Sequence, residues 1–375
     1  MILGIDASNI RAGGGLRHLI ELIAHTDIDS SGFEKIIVWA PESTLSKLPQ
    51  MAWLEKSTHT FLNRSLPFRI IWQKFYLSRL AARYCDVLFL PSGNTTSFHP
   101  YVSMCQNLLP FDSEEKMRYG ISLMRIRLEL LKWNQCRSFT KADGVVFLSN
   151  YSLSKVIKSC GSLSSTFIIP HGVSKDFFHI KEKTVFNNPI KLLYVSIIDV
   201  YKHQWYVVDA VYTLLDKGYD VELTLIGPYY KQAYVRLQMA IEKKPFYKNK
   251  IRIIGNISHD ELQKYYNDSD IFIFASSCET FGLILLESMA SSLPIICSNR
   301  SSLPEILGET GNYFDPENPS QLVEVLIDLI NTPQKALDQR LASFERAKQF
   351  SWENTANLTM KYLNSFLSTP TQNVP

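Results

Sequence analysis

Glu279 and Glu287 stand with seven residues between them, on either side of the pair Phe281-Gly282. The run before them, Asp270-Ile271-Phe272-Ile273-Phe274-Ala275, is short, apolar and rich in β-branched and aromatic residues. It reads as a buried parallel strand. Residues 282–291 read as a helix, so Glu279 falls in the loop at the strand's carboxyl end and Glu287 more than a turn into the helix. The neighbours of Glu287 (Leu283, Ile284, Leu285, Leu286, Met289 and Ala290) are apolar on nearly every face. A carboxylate among them is costly unless something hydrogen-bonds it. The helix N-terminus offers backbone N–H groups and a partial positive charge, which suits a phosphate. Together these parts can hold a sugar, a diphosphate and a second set of hydroxyls. The plain alternative is a salt-bridged Glu287 at a domain edge and an ordinary loop residue at 279.

These side chains need strands to position them. In the first half, strands are expected at 2–6, 35–40, 87–91, 101–107, 144–149 and 166–170, alternating with helices. A polar stretch, 180–189, follows. The alternation then restarts at 190–196, 221–226, 251–254, 270–275 and 294–298. Two strand–helix series in succession predict two doubly wound α/β domains, which bind ligands at the carboxyl ends of their strands. The expected division is 1–185, 186–350, a last helix over 351–366 with Ser351 as its cap, and a tail over 367–375 whose composition suits disorder.

The bulk properties agree with two globular domains. A chain of 375 residues exceeds what one core usually holds, and its 46% hydrophobic and 20% charged fractions are those of a folded protein. Residues 1–6 read as a strand rather than a signal peptide, and no apolar run is long enough to span a bilayer. The six cysteines are scattered without CxxC or Cys/His metal spacing, which fits a reduced cytosolic setting. Residues 1–185 carry 22 Lys/Arg against 15 Asp/Glu, and residues 186–375 carry 17 against 21. The first half is therefore the better candidate for an anionic surface. Its stretches 67–84 and 114–141 mix Trp, Phe and Leu with Arg and Lys, as a helix lying in an anionic membrane interface does. A core-facing helix with a solvated back is the alternative. No nucleic-acid motif is present.

The segment around Glu279 and Glu287 resembles the E-x7-E signature of retaining nucleotide-sugar glycosyltransferases of the GT-B fold, family 4 (glycosyl transferases group 1). The similarity runs on through Leu293-Pro294-Ile295-Ile296-Cys297-Ser298 and Leu303-Pro304-Glu305-Ile306. The resemblance implies two Rossmann-like domains facing a central cleft, with the acceptor on the first and the nucleotide on the second. It implies that Glu279 touches the donor sugar. Thr280, Phe281, Gly282 and Leu283 would meet sugar and diphosphate through backbone amides, and Glu287 would bind the ribose hydroxyls. Lys202 matches the family's diphosphate-binding lysine, whereas the usual arginine is replaced by Ser196 or Ile197; His203 or an arginine of the first domain would have to compensate. Gly227 sits where the family has a glycine turn near the nucleotide, and Asn256-Ile257 lies in the segment whose backbone reads the base. Gly14 and Gly15, in a glycine run before a helix expected at 16–24, match the family's first-domain loop; Arg17 and His18 are secondary candidates there. Asn107, with Gln106, stands near where many relatives have an acceptor-side histidine, and Asn107 to Phe111 resembles bacterial polysaccharide and lipopolysaccharide transferases. A structural turn is its alternative reading.

The resemblance thus implies transfer of a sugar from a UDP- or GDP-sugar to a glycan, lipid-linked acceptor with retention, in cell-surface polysaccharide or lipopolysaccharide synthesis. Glu279, Lys202 and Asn107 would be catalytic, with no metal or cofactor beyond the donor. The expected location is the cytoplasm, at the inner face of the membrane, in peripheral contact with anionic lipid. The departures leave open a catalytically degenerate GT-B binding subunit of a glycan-assembly complex. A sugar-nucleotide epimerase of the same fold is a third reading, which the E-x7-E helix disfavours.

Overall fold

The computed structural model describes residues 1–181 and 186–367; the tail expected to be disordered, apart from Leu367, lies outside them. Contacts divide the chain into two units. The first comprises Met1–Asp112, Ile121–Gly172 and the C-terminal stretch from Ser351; the second comprises Ser113–Gly120 and Val173–Phe350.

The first unit is built on seven parallel strands: β1 (Ile2–Asp6), β2 (Lys35–Trp39), β3 (Leu54–Ser57), β4 (Val87–Leu90), β5 (Tyr101–Met104), β6 (Gly144–Phe147) and β7 (Thr166–Ile168), in the order β3-β2-β1-β4-β5-β6-β7. Continuous apolar runs such as Val87-Leu88-Phe89-Leu90 are buried along their whole length, as strands covered on both faces must be. The order reverses between β1 and β4, and in such sheets that crevice is where ligands sit. Helix α1 (Gly13–Ala24) follows β1. It starts at Gly13, not at Leu16, so the three glycines form its first turn. Leu16, Leu19, Leu22 and Ile23 bury one face, and that packing outweighs the poor helix propensity of glycine. Next come α2 (Leu66–Trp72), a π-helical turn (Gln73–Leu77), α3 (Ser78–Tyr84), α4 (Leu123–Lys141) and α5 (Asn150–Cys160). Cys136 of α4 and Cys160 of α5 form a disulfide, a pairing the scattered spacing did not suggest; the other four cysteines are free.

The second unit has six parallel strands: β8 (Ile190–Val195), β9 (Val221–Ile226), β10 (Ile251–Ile254), β11 (Ile271–Phe274), β12 (Ile295–Ser298) and β13 (Asn312–Phe314), ordered β10-β9-β8-β11-β12-β13. Its switch point lies between β8 and β11. The helices that matter for the site are α6 (Gln204–Asp216) after β8, α7 (His259–Asp268) before β11 and α8 (Leu283–Ala290) after it. Helix α9 (Trp352–Ser365) closes the described chain and belongs to the first unit. The Ser351 hydroxyl caps it by accepting from Asn354 N. Tyr362 stacks on Phe167 of β7 at 5.2 Å, and Gly144 of β6 lies so close to Tyr362 and Phe366 that a Cβ there would come within 2.5 Å of both. Among the described residues, no helix is long and apolar enough to cross a membrane.

Candidate functional site

Lys202 follows β8 and Glu279 follows β11, so the two loops flanking the switch point of the second unit carry them. Lys202 is only 5% exposed, and its Nζ forms an ion pair with Glu279 Oε1. The ammonium also lies 4.9 Å from the Tyr201 ring centroid and 5.2 Å from that of Phe274, so aromatic faces share its charge. Ser277 ties the loops together: its N–H donates to Tyr201 O at 2.9 Å. Ser301, after β12, fastens the Glu279 backbone from the other side. Its hydroxyl accepts from Glu279 N at 2.6 Å and donates to Glu279 O at 2.8 Å.

Helix α8 begins immediately beyond. Gly282 is its N-cap at φ 96°, a left-handed conformation that favours glycine, and a Cβ there would come within 2.9 Å of Leu303. The Gly282 carbonyl accepts from Leu285 N and Leu286 N. The amides of Leu283 and Ile284 precede those intrahelical bonds and suit an anion. Glu287 is 4% exposed, and the buried Tyr266 hydroxyl of α7 donates to its Oε2 at 3.2 Å. The hydrogen bond that a carboxylate on this apolar helix requires is therefore present.

The position that carries an arginine in the resembled family is filled by neutral groups. Gln204 Nε2 donates to Ser196 Oγ and to Ile197 O, both at 2.9 Å. His203 does not supply the missing charge. It is fully buried, with Nε2 2.8 Å from Ser277 Oγ. Burial, and then the nearby Arg118, pull its pKa from the usual 6.5 to about 3, so the ring is neutral at pH 7. Arg118 of the Ser113–Gly120 segment is engaged elsewhere: it holds Glu317 through two N–H···O bonds of 2.9 and 2.6 Å and bonds Glu115 at 2.7 Å. Arg300 joins Glu317 as well, at 2.7 Å. Next to this network, the Tyr119 hydroxyl donates to the buried Asp199 at 2.9 Å.

A depressed histidine pKa means that the unfolded chain takes up a proton the folded chain refuses. The stability tied to His203 is fully present above pH 6.5 and is lost as the pH falls towards about 3. His18, pulled down to about 4 by burial, acts in the same direction. Urea unfolding at pH 7 and pH 4.5 should therefore show a smaller acid loss for His203→Asn than for the wild type. Asparagine tolerates the left-handed φ of 55° found there. Equal acid losses would show that His203 is not the group responsible.

The remaining predicted residues fall at strand ends. Gly227, just after β9, has φ 141° and donates to Ile254 O and Gly255 O at 3.1 and 3.2 Å. Asn256 and Ile257 follow β10. In the first unit, Gly15 of α1 lies beside Gln106, whose Oε1 would be 2.8 Å from an added Cβ. Asn107 is exposed and accepts from Leu109 N at 3.1 Å, which is the turn-forming geometry. Arg17 is paired with Glu21 at 2.6 Å, and the buried His18 meets His171 at 3.2 Å. The structure thus brings Lys202 and Glu279 together within the second unit, while Gly14, Gly15 and Asn107 lie in the first. The reading from sequence missed Ser277, Ser301, Tyr266 and Tyr119. The polar run Ser298-Asn299-Arg300-Ser301-Ser302, directly after a buried strand, is the signal that would have exposed Ser301.

Residues 176–348 match the family model of glycosyl transferases group 1. O-antigen chain mannosyltransferase B of Escherichia coli is 32% identical over 110 residues, 29% of each chain. An uncharacterized glycosyltransferase of Methanocaldococcus jannaschii is 26% identical over 57% of each chain. The chain thus spans between about a third and just over half of the length of these relatives. Among solved structures, a sucrose-phosphate synthase of Thermosynechococcus elongatus superposes with a TM-score of 0.76 at 18% identity, covering 98% of this chain and 99% of that one. HepE of Anabaena in complex with UDP gives 0.71 at 18% identity, covering 97% and 99%. The fold is GT-B, with two Rossmann-like α/β domains.

Proposed function

We propose that this chain is a retaining glycosyltransferase that moves a sugar from a nucleoside diphosphate donor to a lipid-linked glycan acceptor. The observation that carries the reading is the ion pair of the buried Lys202 with the partly exposed Glu279 at the switch point of the second unit, next to the Gly282-capped start of α8. In this reading Lys202 Nζ and the first amides of α8 take the negative charge that grows on the departing diphosphate. Glu279 orients the donor sugar, and Glu287, held by Tyr266, accepts hydrogen bonds from the ribose hydroxyls. Transfer then rests on positioning and on charge stabilisation already in place before the bond breaks. No step calls for a metal. Gly14 and Gly15 at the first unit's switch point, and Asn107 beyond β5, would serve the diphosphate and the acceptor.

The relatives support a place in polysaccharide or lipopolysaccharide assembly, through the O-antigen enzyme and a lipopolysaccharide glycosyltransferase with a TM-score of 0.71. The solved relatives include UDP complexes, while the sequence of this chain leaves UDP and GDP both open. Calorimetric titration with UDP and with GDP decides between them. Glu287→Gln should weaken the nucleotide that binds by about 10- to 100-fold, the worth of a charge-assisted hydrogen bond to each hydroxyl. Unchanged binding and turnover in that variant would sink the assignment.

The location at the cytoplasmic face is part of the proposal, and there Cys136 and Cys160 would be thiols. Thiol trapping in growing cells tests this; a trapped disulfide would argue for an oxidising compartment. The neutral His203 and the absent arginine favour a second reading, a degenerate binding subunit. Transfer by the purified chain alone would exclude it.

A further inference from the structure

We propose that Tyr119 is a positioning residue of the donor site: its hydroxyl, delivered by the Ser113–Gly120 segment, holds the turn that carries Lys202 and so sets the ammonium against Glu279. Within the second unit this segment is a short helix, Ser113–Met117, followed by Arg118, Tyr119 and Gly120, the last at φ 59°. Residues 199–202 form a tight turn, in which Lys202 N donates to Asp199 O at 3.0 Å. The turn is fixed at its first residue. Asp199 Oδ1 accepts from Val200 N at 2.7 Å and from the Tyr119 hydroxyl at 2.9 Å. Both Asp199 and Tyr119 are buried, so bulk water does not compete for this bond. The Tyr119 ring meets Tyr230 at a centroid distance of 5.6 Å, and Tyr230 N donates to Ile198 O, directly before the turn, at 2.8 Å. Burial raises the Asp199 pKa, opposed by the Val200 N–H, the Tyr119 hydroxyl and the nearby Lys202 charge. The tyrosine thus helps to keep a carboxylate ionised within the field of the lysine it positions.

The neighbouring Arg118 links the same segment to the loop after β12. Glu317, which Arg118 holds through two bonds, also accepts from Arg300, and Arg300 donates to Asp315 at 2.8 Å. Arg300 adjoins Ser301, whose hydroxyl clamps the Glu279 backbone. Ser301 has φ 67°, and His203, next to Lys202, has φ 55°. A non-glycine residue in this left-handed region persists where its surroundings over-determine it. The segment reaches both places: through Tyr119 to the loop of Lys202, and through Arg118, Glu317 and Arg300 to the clamp on Glu279. Tyr119 and Asp199 lie 80 positions apart, so the bond is a product of the fold and not of the turn itself. A reacting constellation has to be held to within about 0.5 Å, which calls for supporting bonds of this kind. The catalytic meaning of Tyr119 rests on the donor role of Lys202 read above, whereas its first test needs no donor.

The test is the coupling between Lys202 and Glu279, read by urea unfolding of the full chain at pH 7. Lys202→Ala, Glu279→Gln and the two combined are measured in the wild-type and in the Tyr119→Phe background. Phenylalanine keeps the ring on Tyr230 and removes only the hydroxyl. The expected coupling, as a ratio of unfolding constants, is at least about 3-fold smaller in the Tyr119→Phe background. Tyr212→Phe is the control. The Tyr212 hydroxyl donates to Ile241 O at 2.7 Å in the same unit, so this variant loses a comparable bond and should leave the coupling unchanged. Lys202→Met replaces Lys202→Ala in the cycle if circular dichroism shows the alanine variant unfolded. Single-turnover transfer is the second readout. Tyr119→Phe should lower its rate constant by about 10-fold or more, with nucleotide affinity by calorimetry within about 3-fold of the wild type. Tyr212→Phe should move neither. A coupling unchanged in Tyr119→Phe, or reduced equally by Tyr212→Phe, overturns the proposal, as does an unchanged rate constant beside a reduced coupling. A wild type that neither binds nucleotide nor transfers sugar refutes the donor reading alone, and the coupling still decides whether Tyr119 places Lys202.

Discussion

Lys202→Ala lowers turnover by about 10²- to 10³-fold, the usual cost of removing one preorganised charge aimed at a developing anion. The lysine is buried and its partner Glu279 is partly exposed, so the substitution leaves the Glu279 carboxylate without its countercharge and costs roughly 1–3 kcal/mol of stability. The two losses are separable. Lys202→Ala/Glu279→Gln removes both charges, and the stability should largely return while turnover stays low. Single-turnover kinetics and urea unfolding on the wild type, both single variants and the double variant complete the cycle. If turnover recovered along with stability in the double variant, the lysine would be a structural partner only, and the charge-stabilisation role would have to be abandoned.

Gly227→Val abolishes donor binding and destabilises the second unit by roughly 3–5 kcal/mol, combining overpacking with a β-branched residue at positive φ. An added Cβ at this glycine would lie 2.2 Å from Ser196 O and 2.6 Å from Ser196 C. Both are backbone atoms of the loop that leads to Lys202, so neither can swing aside as a side chain does. Relief requires the turn after β9 to part from the turn after β8, which moves Lys202 relative to Glu279. Gly255→Ala is the control, because a Cβ there meets nothing within 4 Å. Thermal unfolding should separate the two variants clearly. Similar melting temperatures would show that the two turns are free to part at no cost.

The strands β4 and β11 were legible because burial on both faces leaves continuous apolar runs; the expected 2–6, 221–226 and 251–254 coincide with β1, β9 and β10 to the residue, although β9 alternates and β10 is a partly exposed edge. β3 was not legible, since Leu54-Glu55-Lys56-Ser57 is a half-exposed edge strand with charges, and β13 is three residues long. Glu279 and Glu287 were readable because both stand on one loop and the helix that follows it. The contacts that set them in place were not. Ser301 bonds Glu279 from 22 positions away, Tyr266 bonds Glu287 from 21, and Lys202 meets Glu279 across 77. Such pairs are made by the order of strands in the sheet, and no local spacing records them. The neutral state of His203 was hidden for a related reason: it depends on burial, which only packing determines.

The placement of α9 in the first unit has a consequence for how the chain is made. On the ribosome, Met1–Gly172 emerges long before residues 352–365, so the binding surface for Tyr362 on β6 and β7 waits for those later codons. The second unit, contained in residues 113–350, has all its strands outside the tunnel first. A premature stop codon after Phe350 would therefore harm the first unit more than the second. Of the two units, the one translated first is the one finished last.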